Sequence, residues 1–228
     1  MSEYSGSQPW PTCDGIVDRR TFLPERARGA RVLHLGCVDE HLTQERAGTG
    51  GLLHEELDRV TEALVGFDIS EDGLDLMRGI VPGEYIHGDV ESMEPAMFSD
   101  IDLVIAAEII EHLGSPMSFY RNLRAILEKF SCQAILTTPN AYNWSAWVRT
   151  LSAGAEIVHP DHTHYYSPVT LDESLDRGGL KVLERYSHFW DRSTETGVKA
   201  NALKAVDGAL AKKRPWMGAG LVWVVEAA

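Results

Sequence analysis

Short apolar runs alternate with amphipathic segments along most of this chain. Apolar runs without a polar face predict buried strands, and apolar residues at helical spacing predict helices packed on them. The predicted strands lie at residues 31–36, 64–68, 84–87, 101–107, 132–138, 180–190 and 221–226. The predicted helices lie at 14–25 (capped by Asp14), 51–64, 71–79, directly after the fourth strand, and at 116–129, 143–151, 170–177 and 197–212.

This alternation is typical of an α/β fold in which helices cover both faces of a parallel sheet. We therefore predict a doubly wound, mostly parallel, seven-stranded Rossmann-like sheet with helices on both faces. One of the last two strands could run antiparallel. Residues 1–14 are expected to form a flexible N-terminal arm, and residues 15–228 a single domain with an insert at about 141–178.

Composition narrows the classes of partner and the compartment. The 228 residues carry a net charge of −13, which disfavours nucleic acid or an anionic membrane as partner. The three cysteines are far apart without a CxxC motif, which favours a reducing cytoplasm over a disulfide framework or a zinc ribbon. The first residues do not resemble a signal peptide, and the apolar runs are shorter than the ~20 residues that span a bilayer. We expect a cytoplasmic protein, whose oligomeric state the sequence leaves open.

Acidic residues follow most of the first five predicted strands. Ligands of doubly wound sheets bind beyond the carboxyl ends of the strands, so these positions mark the expected site. One carboxylate at such a position can hold both hydroxyls of a ribose, and a second can recognise an adenine edge with the next backbone amide. The chain lacks the glycine fingerprint and the Walker A loop that cradle phosphates, and acidic residues follow Gly36 instead. The predicted ligand is therefore an adenosine compound without phosphates, preferably cationic.

Several segments resemble the class I S-adenosylmethionine-dependent methyltransferases. They are, in chain order, RVLHLGC (31–37), LVGFDIS (64–70), YIHGDVESM (85–93), IDLVIAAEIIEHL (101–113) and ILTTPNAYN (135–143). HPDHTHYYSPVTL (159–171) is similar to the segment after the fifth strand in small-molecule O-methyltransferases such as those of ubiquinone biosynthesis. Each motif alone is weakly specific, but five motifs in the expected order at plausible spacing are a strong signal. The resemblance spans roughly residues 15–228. It implies methyl transfer to an oxygen, or less readily a nitrogen, of a small molecule or glycan.

The resemblance also implies which residues contact S-adenosyl-L-methionine. Gly36 would let the first loop pass close to the methionine moiety, Asp68 would hold the ribose hydroxyls, and Asp89 with the amide of Val90 would face the adenine. The other expected contacts are Cys37, Ile69, Ala107 and Glu108, of which the last two would lie beside the sulfonium.

Two features depart from the family pattern. Cys37-Val38-Asp39 replaces the usual further glycines, and Gly36 precedes Asp68 by 32 residues instead of the roughly 20 of Rossmann-type folds. The extra length lies in residues 38–50, so the first loop, 37–50, must be rebuilt and its further contacts are not predicted. Arg19 or Arg20, ahead of the first strand, is placed to reach the cofactor carboxylate.

Histidines are the candidates for the remaining chemistry. For a hydroxyl acceptor, His112 is the first choice as general base because a pKa of about 6.5 suits proton uptake near neutrality. His164 is the second choice. The histidines of 159–164 with Asp161 have a spacing found in metal sites, but no third ligand cluster is evident, so we predict no metal. That segment and its tyrosines are instead expected to form a lid or an acceptor pocket within 141–178.

Three other functions stay open. The altered first loop allows a non-catalytic protein that binds an adenosine ligand on the same fold. A nicotinamide oxidoreductase is disfavoured because the glycine fingerprint is absent. A metal hydrolase would have to use the histidines of 159–164. The acceptor itself is not predicted, because sugars, phenols and secondary metabolites all fit a small pocket.

Overall fold

One central sheet organises the computed structural model, which describes residues 7–39, 42–49, 51–156, 158–189 and 196–228. Within those residues the sheet has eight strands, joined mainly by helices. The strands are β1 Gly15–Ile16, β2 Arg31–Leu35, β3 Ala63–Asp68, β4 Glu84–His87, β5 Leu103–Ala107, β6 Gln133–Pro139, β7 Leu180–His188 and β8 Gly220–Ala227. The helices are α1 Arg19–Ala27, α2 Thr43–Arg46, α3 Leu53–Asp58, α4 Glu71–Ile80, α5 Pro116–Phe130, α6 Trp144–Ala153, α7 Pro168–Arg177 and α8 Val198–Lys213.

The strand order is β1-β7-β8-β6-β5-β2-β3-β4, and β8 alone among these strands runs antiparallel to its neighbours. The predicted α/β class and mostly parallel sheet are confirmed, with one more strand than expected. From β2 the chain winds outward through β3 and β4, and it later returns to lay β5 and β6 on the other side of β2. The winding direction therefore reverses between β2 and β5, which is where doubly wound sheets form their ligand crevice.

Side chains of the central strands alternate between two apolar layers. Leu33 and Leu35 of β2 face the layer that contains α5 and α7, whereas Val32 faces α1 and α3. Trp223 of β8 lies in the first layer without solvent exposure. Both faces of these strands are thus buried, which explains their continuous apolar runs. None of the described helices combines the length and the apolar character needed to cross a bilayer.

Four predicted elements need correction. The first helix begins at Arg19 because Asp18, not Asp14, caps it, while Asp14 accepts a hydrogen bond from the Arg185 amide at 2.8 Å. The helix expected over 51–64 ends at Asp58, since the Val60 carbonyl accepts from the Gly29 amide and turns the chain into β3. A short helix, α2, lies in the stretch expected to be a loop. Residues 108–115, expected to be helical, form turns.

Four predicted segments extend beyond the described residues. Residues 1–6 of the expected arm, 40, 41 and 50 of the first loop, 157 of the insert and Trp190 at the end of the sixth predicted strand lie outside them. Within the arm, the Pro11 carbonyl accepts a hydrogen bond from the Trp216 indole at 2.8 Å. The helices expected at 71–79, 116–129, 143–151, 170–177 and 197–212 are confirmed within a few residues.

Candidate active site

A cleft of about 1140 Å³ opens over the carboxyl ends of the parallel strands. Its walls come from the segments that follow β2, β3, β4, β5 and β7, from the start of α1, from α2 and α3, and from the segment that contains His159 and His162. Nine of the ten predicted site residues line it: Gly36, Cys37, Asp68, Ile69, Asp89, Val90, Ala107, Glu108 and His112. The strand-end rule and the family resemblance therefore pointed to residues of one continuous cleft.

Gly36 shapes the first loop because no other residue fits there. Its φ is +67°, a left-handed conformation that costs residues with a Cβ free energy. A Cβ at this position would lie 2.2 Å from Cγ2 of Ile109, which belongs to the turn after β5. The Gly36 amide also donates to the Phe67 carbonyl at 2.8 Å. The loops after β2 and β5 therefore meet closely at the switch point.

Asp68 joins the first loop to the start of α4. Its Oδ2 accepts a hydrogen bond from the Val38 amide at 3.0 Å, and its Oδ1 accepts one from the Ser70 amide at 2.9 Å. The side chain is largely buried at the end of β3 but reaches the cleft wall. Neighbouring Cys37 is buried, and burial raises the pKa of its thiol far above the usual range, which keeps it an unreactive filler.

The cleft continues past β3 and β4 with one apolar and one acidic residue. The Ile69 side chain is 68% exposed, although it is a large apolar group. Asp89 is also exposed, and its Oδ1 accepts a hydrogen bond from the Glu91 amide at 2.8 Å. The Val90 carbonyl accepts from the Asn122 side chain of α5, which fixes the backbone beside Asp89. An apolar side chain and a carboxylate thus face the same end of the cleft.

Glu108 adopts a backbone conformation that is rare for its residue type. Its φ is +56°, and this left-handed conformation costs about 1–3 kcal/mol for residues other than glycine. Contacts with β6 stabilise it: the Glu108 amide donates to the Thr137 carbonyl at 3.0 Å, and the Thr137 hydroxyl donates to Glu108 Oε1 at 2.9 Å. Arg19 of α1 lies 2.8 Å from the same carboxylate oxygen. The strained residue is held with its carboxylate at the cleft.

Glu111, three residues further, is a buried carboxyl group. It is 1% exposed and accepts one hydrogen bond, from the Thr138 hydroxyl at 2.9 Å. Burial, reinforced by the nearby negative charge of Glu108, raises the pKa of Glu111 to about 8. Its backbone carbonyl accepts from the amides of Thr163 and His164 at 2.9 and 3.1 Å, so the turn after β5 anchors the 159–167 segment.

The two histidines predicted as general bases lie in different surroundings. His112 lines the cleft, and its ring centroid is 4.6 Å from that of His162 and 5.9 Å from that of His159. His164 does not belong to the described cleft wall; its ring stacks on Tyr166, and its Nδ1 lies 2.9 Å from the Thr163 hydroxyl. Of the two, His112 alone is positioned to reach a ligand in the cleft.

Several cleft residues were not predicted as site residues. His34 of β2 and His54 of α3 lie with their Nδ1 atoms 3.0 Å apart, so one ring donates a hydrogen bond to the other. Burial lowers the pKa of both, that of His54 to about 4, and both are therefore neutral near pH 7. His188 ends β7 at the same edge of the sheet. The strand-end rule could have found His188, whereas the His34–His54 contact depends on helix packing.

Comparisons with known proteins agree with this architecture. The Ubiquinone biosynthesis O-methyltransferase of Ruegeria sp. is 28% identical over 186 residues, which cover 75% of this chain and 68% of the relative. A TehB-like SAM-dependent methyltransferase from Corynebacterium glutamicum has a TM-score of 0.54 at 16% identity, covering 92% of this chain and 86% of that one. A SAM-dependent methyltransferase from Archaeoglobus fulgidus has a TM-score of 0.54 at 18% identity, covering 91% and 94%. These two solved structures share the fold.

The sequence profile of a family described as "Methyltransferase domain" matches residues 13–185. This match includes the segments that follow β2, β3, β4 and β5, which form most of the cleft described above. It covers well over half of the 228 residues. The chain therefore belongs to the methyltransferase domain family.

Proposed function

We propose that this protein transfers a methyl group from S-adenosyl-L-methionine to an oxygen atom of a small molecule. The observation that carries the proposal is the acidic cleft at the switch point, where Asp68, Asp89 and Glu108 follow three different strands. A site of that charge suits a cationic adenosine compound without phosphates. The relatives named Ubiquinone biosynthesis O-methyltransferase support oxygen as the methylated atom and a small molecule as the acceptor.

The cleft residues fit the cofactor by shape and by charge. Gly36 lies in the cleft wall, and because it has no side chain, Ile109 packs directly against the first loop and fixes the shape of the cleft there. Each carboxylate oxygen has two lone pairs, so Asp68 can accept from a backbone amide and from a ribose hydroxyl at the same oxygen. Exposed Ile69 offers an apolar surface to the adenine ring, whose edge Asp89 and the Val90 amide would recognise. Cys37 and Ala107 are small enough to line the floor.

The chemistry requires little from the protein beyond position and proton removal. When bound, the cofactor supplies a methyl group on a positively charged sulfur, and transfer leaves the electron pair of the broken bond on sulfur. The protein must align the acceptor oxygen with that methyl group and exclude water. A hydroxyl acceptor also loses its proton, for which His112 is the cleft residue of choice because it lines the cleft and imidazole is the side chain most often used as a general base.

The cleft also has room for a second molecule. Sites for one small ligand enclose about 300–1,000 Å³, and this cleft encloses about 1140 Å³. Helix α6 belongs to the predicted insert at about 141–178 and has no fully buried residue; Trp147 is 53% and Leu151 79% exposed. We infer that this insert covers the acceptor, which could be a phenol or a sugar.

Calorimetry with S-adenosylhomocysteine, the demethylated cofactor, tests the site. Asp68→Asn should weaken binding by about 10–100-fold, because a hydrogen bond to a charged group contributes about 1.5–3 kcal/mol. Asp75→Asn is the matched control: this α4 carboxylate is 70% exposed and pairs with Arg78 away from the cleft. Asp89→Asn provides a second test that does not disturb the Val38 and Ser70 amides.

Turnover is measured by mass spectrometry on a panel of phenols and sugars with the full chain. Gain of one methyl group on an acceptor oxygen supports the proposal. Binding of the cofactor without turnover on any acceptor favours the non-catalytic alternative. Absence of cofactor binding by the folded wild-type protein refutes the proposed function.

A further inference from the structure

Three histidines from two distant segments meet in the cleft wall. His112 follows β5, whereas His159 and His162 lie in the segment ahead of α7. One ring nitrogen of each lies within 4.8 Å of a ring nitrogen of the other two. The rings of His159 and His162 also contact each other, with centroids 5.3 Å apart. All three residues line the cleft, so a ligand there can reach them.

Backbone hydrogen bonds, not the imidazoles, hold these segments together. The Glu111 carbonyl accepts from the Thr163 and His164 amides, and the Thr163 hydroxyl donates to the Leu113 carbonyl at 3.0 Å. Glu111 and Leu113, which accept these bonds, flank His112. Thr163 and His164, which donate them, directly follow His162. A hydrogen bond from the His162 amide to the His159 carbonyl at 3.1 Å closes the turn between the other two histidines. The cluster is therefore assembled before any ligand arrives.

The spacing of the ring nitrogens is close to what a metal requires. Zinc–nitrogen bonds of about 2.0–2.1 Å in a tetrahedron separate neighbouring nitrogens by about 3.3 Å. The observed upper limit of 4.8 Å exceeds this by a distance that side-chain rotation can close. The Asp161 amide donates a hydrogen bond to His159 Nδ1 at 3.4 Å, which orients that ring and leaves its Nε2 free for a metal.

We propose that His112, His159 and His162 bind one divalent transition metal ion, of the zinc type, with an open coordination position facing the cleft. Three imidazoles suit zinc, cobalt, nickel and iron better than magnesium or calcium. This inference deepens the proposed function and rests on it for its catalytic meaning. A hydroxyl acceptor bound at the open position would have a lower pKa and would release its proton to water before methylation. His112 would then act as a metal ligand instead of a general base.

Metal binding is measured on tag-free full-length protein after removal of metals with a chelator. Calorimetry with Zn²⁺ and the visible absorption of Co²⁺ should each report one equivalent bound by the wild-type chain. His159→Ala and His162→Ala should each weaken Zn²⁺ binding by at least about tenfold, since changes to the outer shell alone cost that much. His164→Ala is the matched control, because this neighbour lies outside the cluster, and it should leave the Zn²⁺ titration unchanged.

Activity separates the two roles of His112. If His112 is a lone base, His159→Ala retains turnover; if it is a ligand, that variant loses turnover together with the metal. Failure of the wild-type chain to bind Zn²⁺ or Co²⁺, while it still binds S-adenosylhomocysteine, overturns the metal inference and leaves the proposed function standing. If the wild-type chain binds Zn²⁺ or Co²⁺ but not S-adenosylhomocysteine, the metal site is supported and the proposed function is refuted. Thermal unfolding in chelator shows whether a variant that lost metal is still folded.

Discussion

Replacing Gly36 by alanine should destabilise the fold in two ways, through backbone strain and through a steric clash. The left-handed backbone of a residue with a Cβ costs about 1–2 kcal/mol. The new methyl group would also lie 2.2 Å from Ile109 Cγ2, which forces the turn after β5 to move. Overpacking of this kind costs about 1–3 kcal/mol. The sum is about 2–5 kcal/mol, and at about 2–4 °C per kcal/mol for chains of this size, the melting temperature should fall by about 4–20 °C.

Gly29 offers a matched control within the same chain. Its φ is +70°, almost equal to that of Gly36, but a Cβ there would meet no atom within 4 Å. Gly29→Ala should therefore show the backbone cost alone, about 1–2 kcal/mol in urea unfolding. In an Ile109→Ala background, Gly36→Ala should cost no more than Gly29→Ala does. Equal losses for the two glycine variants in the wild-type background would refute the close contact between the loops.

Two further predictions concern stability. Burial holds the pKa of His54 near 4 and lowers that of His34, whereas an unfolded histidine titrates near about 6.5. The unfolded chain therefore binds protons first as the pH falls, so the free energy of unfolding should drop below about pH 6.5, by about 2 kcal/mol at pH 5 from His54 alone. Urea titrations of the His34→Leu, His54→Leu double variant should show a flatter pH profile, and an unchanged profile would contradict this. Asp172 accepts from the buried Trp223 indole at 2.7 Å and pairs with Arg185 at 3.0 Å; its alanine variant should lose about 2–4 kcal/mol, and its asparagine variant clearly less because an acceptor remains.

The sequence predicted the strands well where burial alone decides them. β2, β5 and β6 are continuous apolar runs because both faces of each are covered, and their positions agree with the prediction within two residues. β1 has two residues and no apolar pattern; it exists because Gly15 and Ile16 pair with Tyr186 and Ser187 of β7. Such pairing is a tertiary effect that periodicity does not register.

The turn after β5 illustrates the limits of local propensity. Its residues favour a helix, but Glu108 bonds to Thr137 and the Glu111 carbonyl bonds to the 159–167 segment, so a regular helix begins only at Pro116. Nine of the ten predicted site residues nevertheless line the cleft, because positions beyond strand ends depend on topology and not on the conformation of the turns. The cluster of His112 with His159 and His162 could not be predicted from spacing, since it joins segments that only the folded chain brings together.

The position of β8 has a consequence for the order in which the molecule is assembled. Residues near the carboxyl end of the chain supply a strand in the interior of the sheet, between β6 and β7, and β1 is attached only through β7. During synthesis, the β2–β6 portion can associate early, but it exposes the unpaired edge of β6 until residues 220–227 emerge from the ribosome. Premature termination before β8 would therefore leave β6 as an exposed edge strand with unpaired backbone groups, and such fragments are expected to aggregate or be degraded.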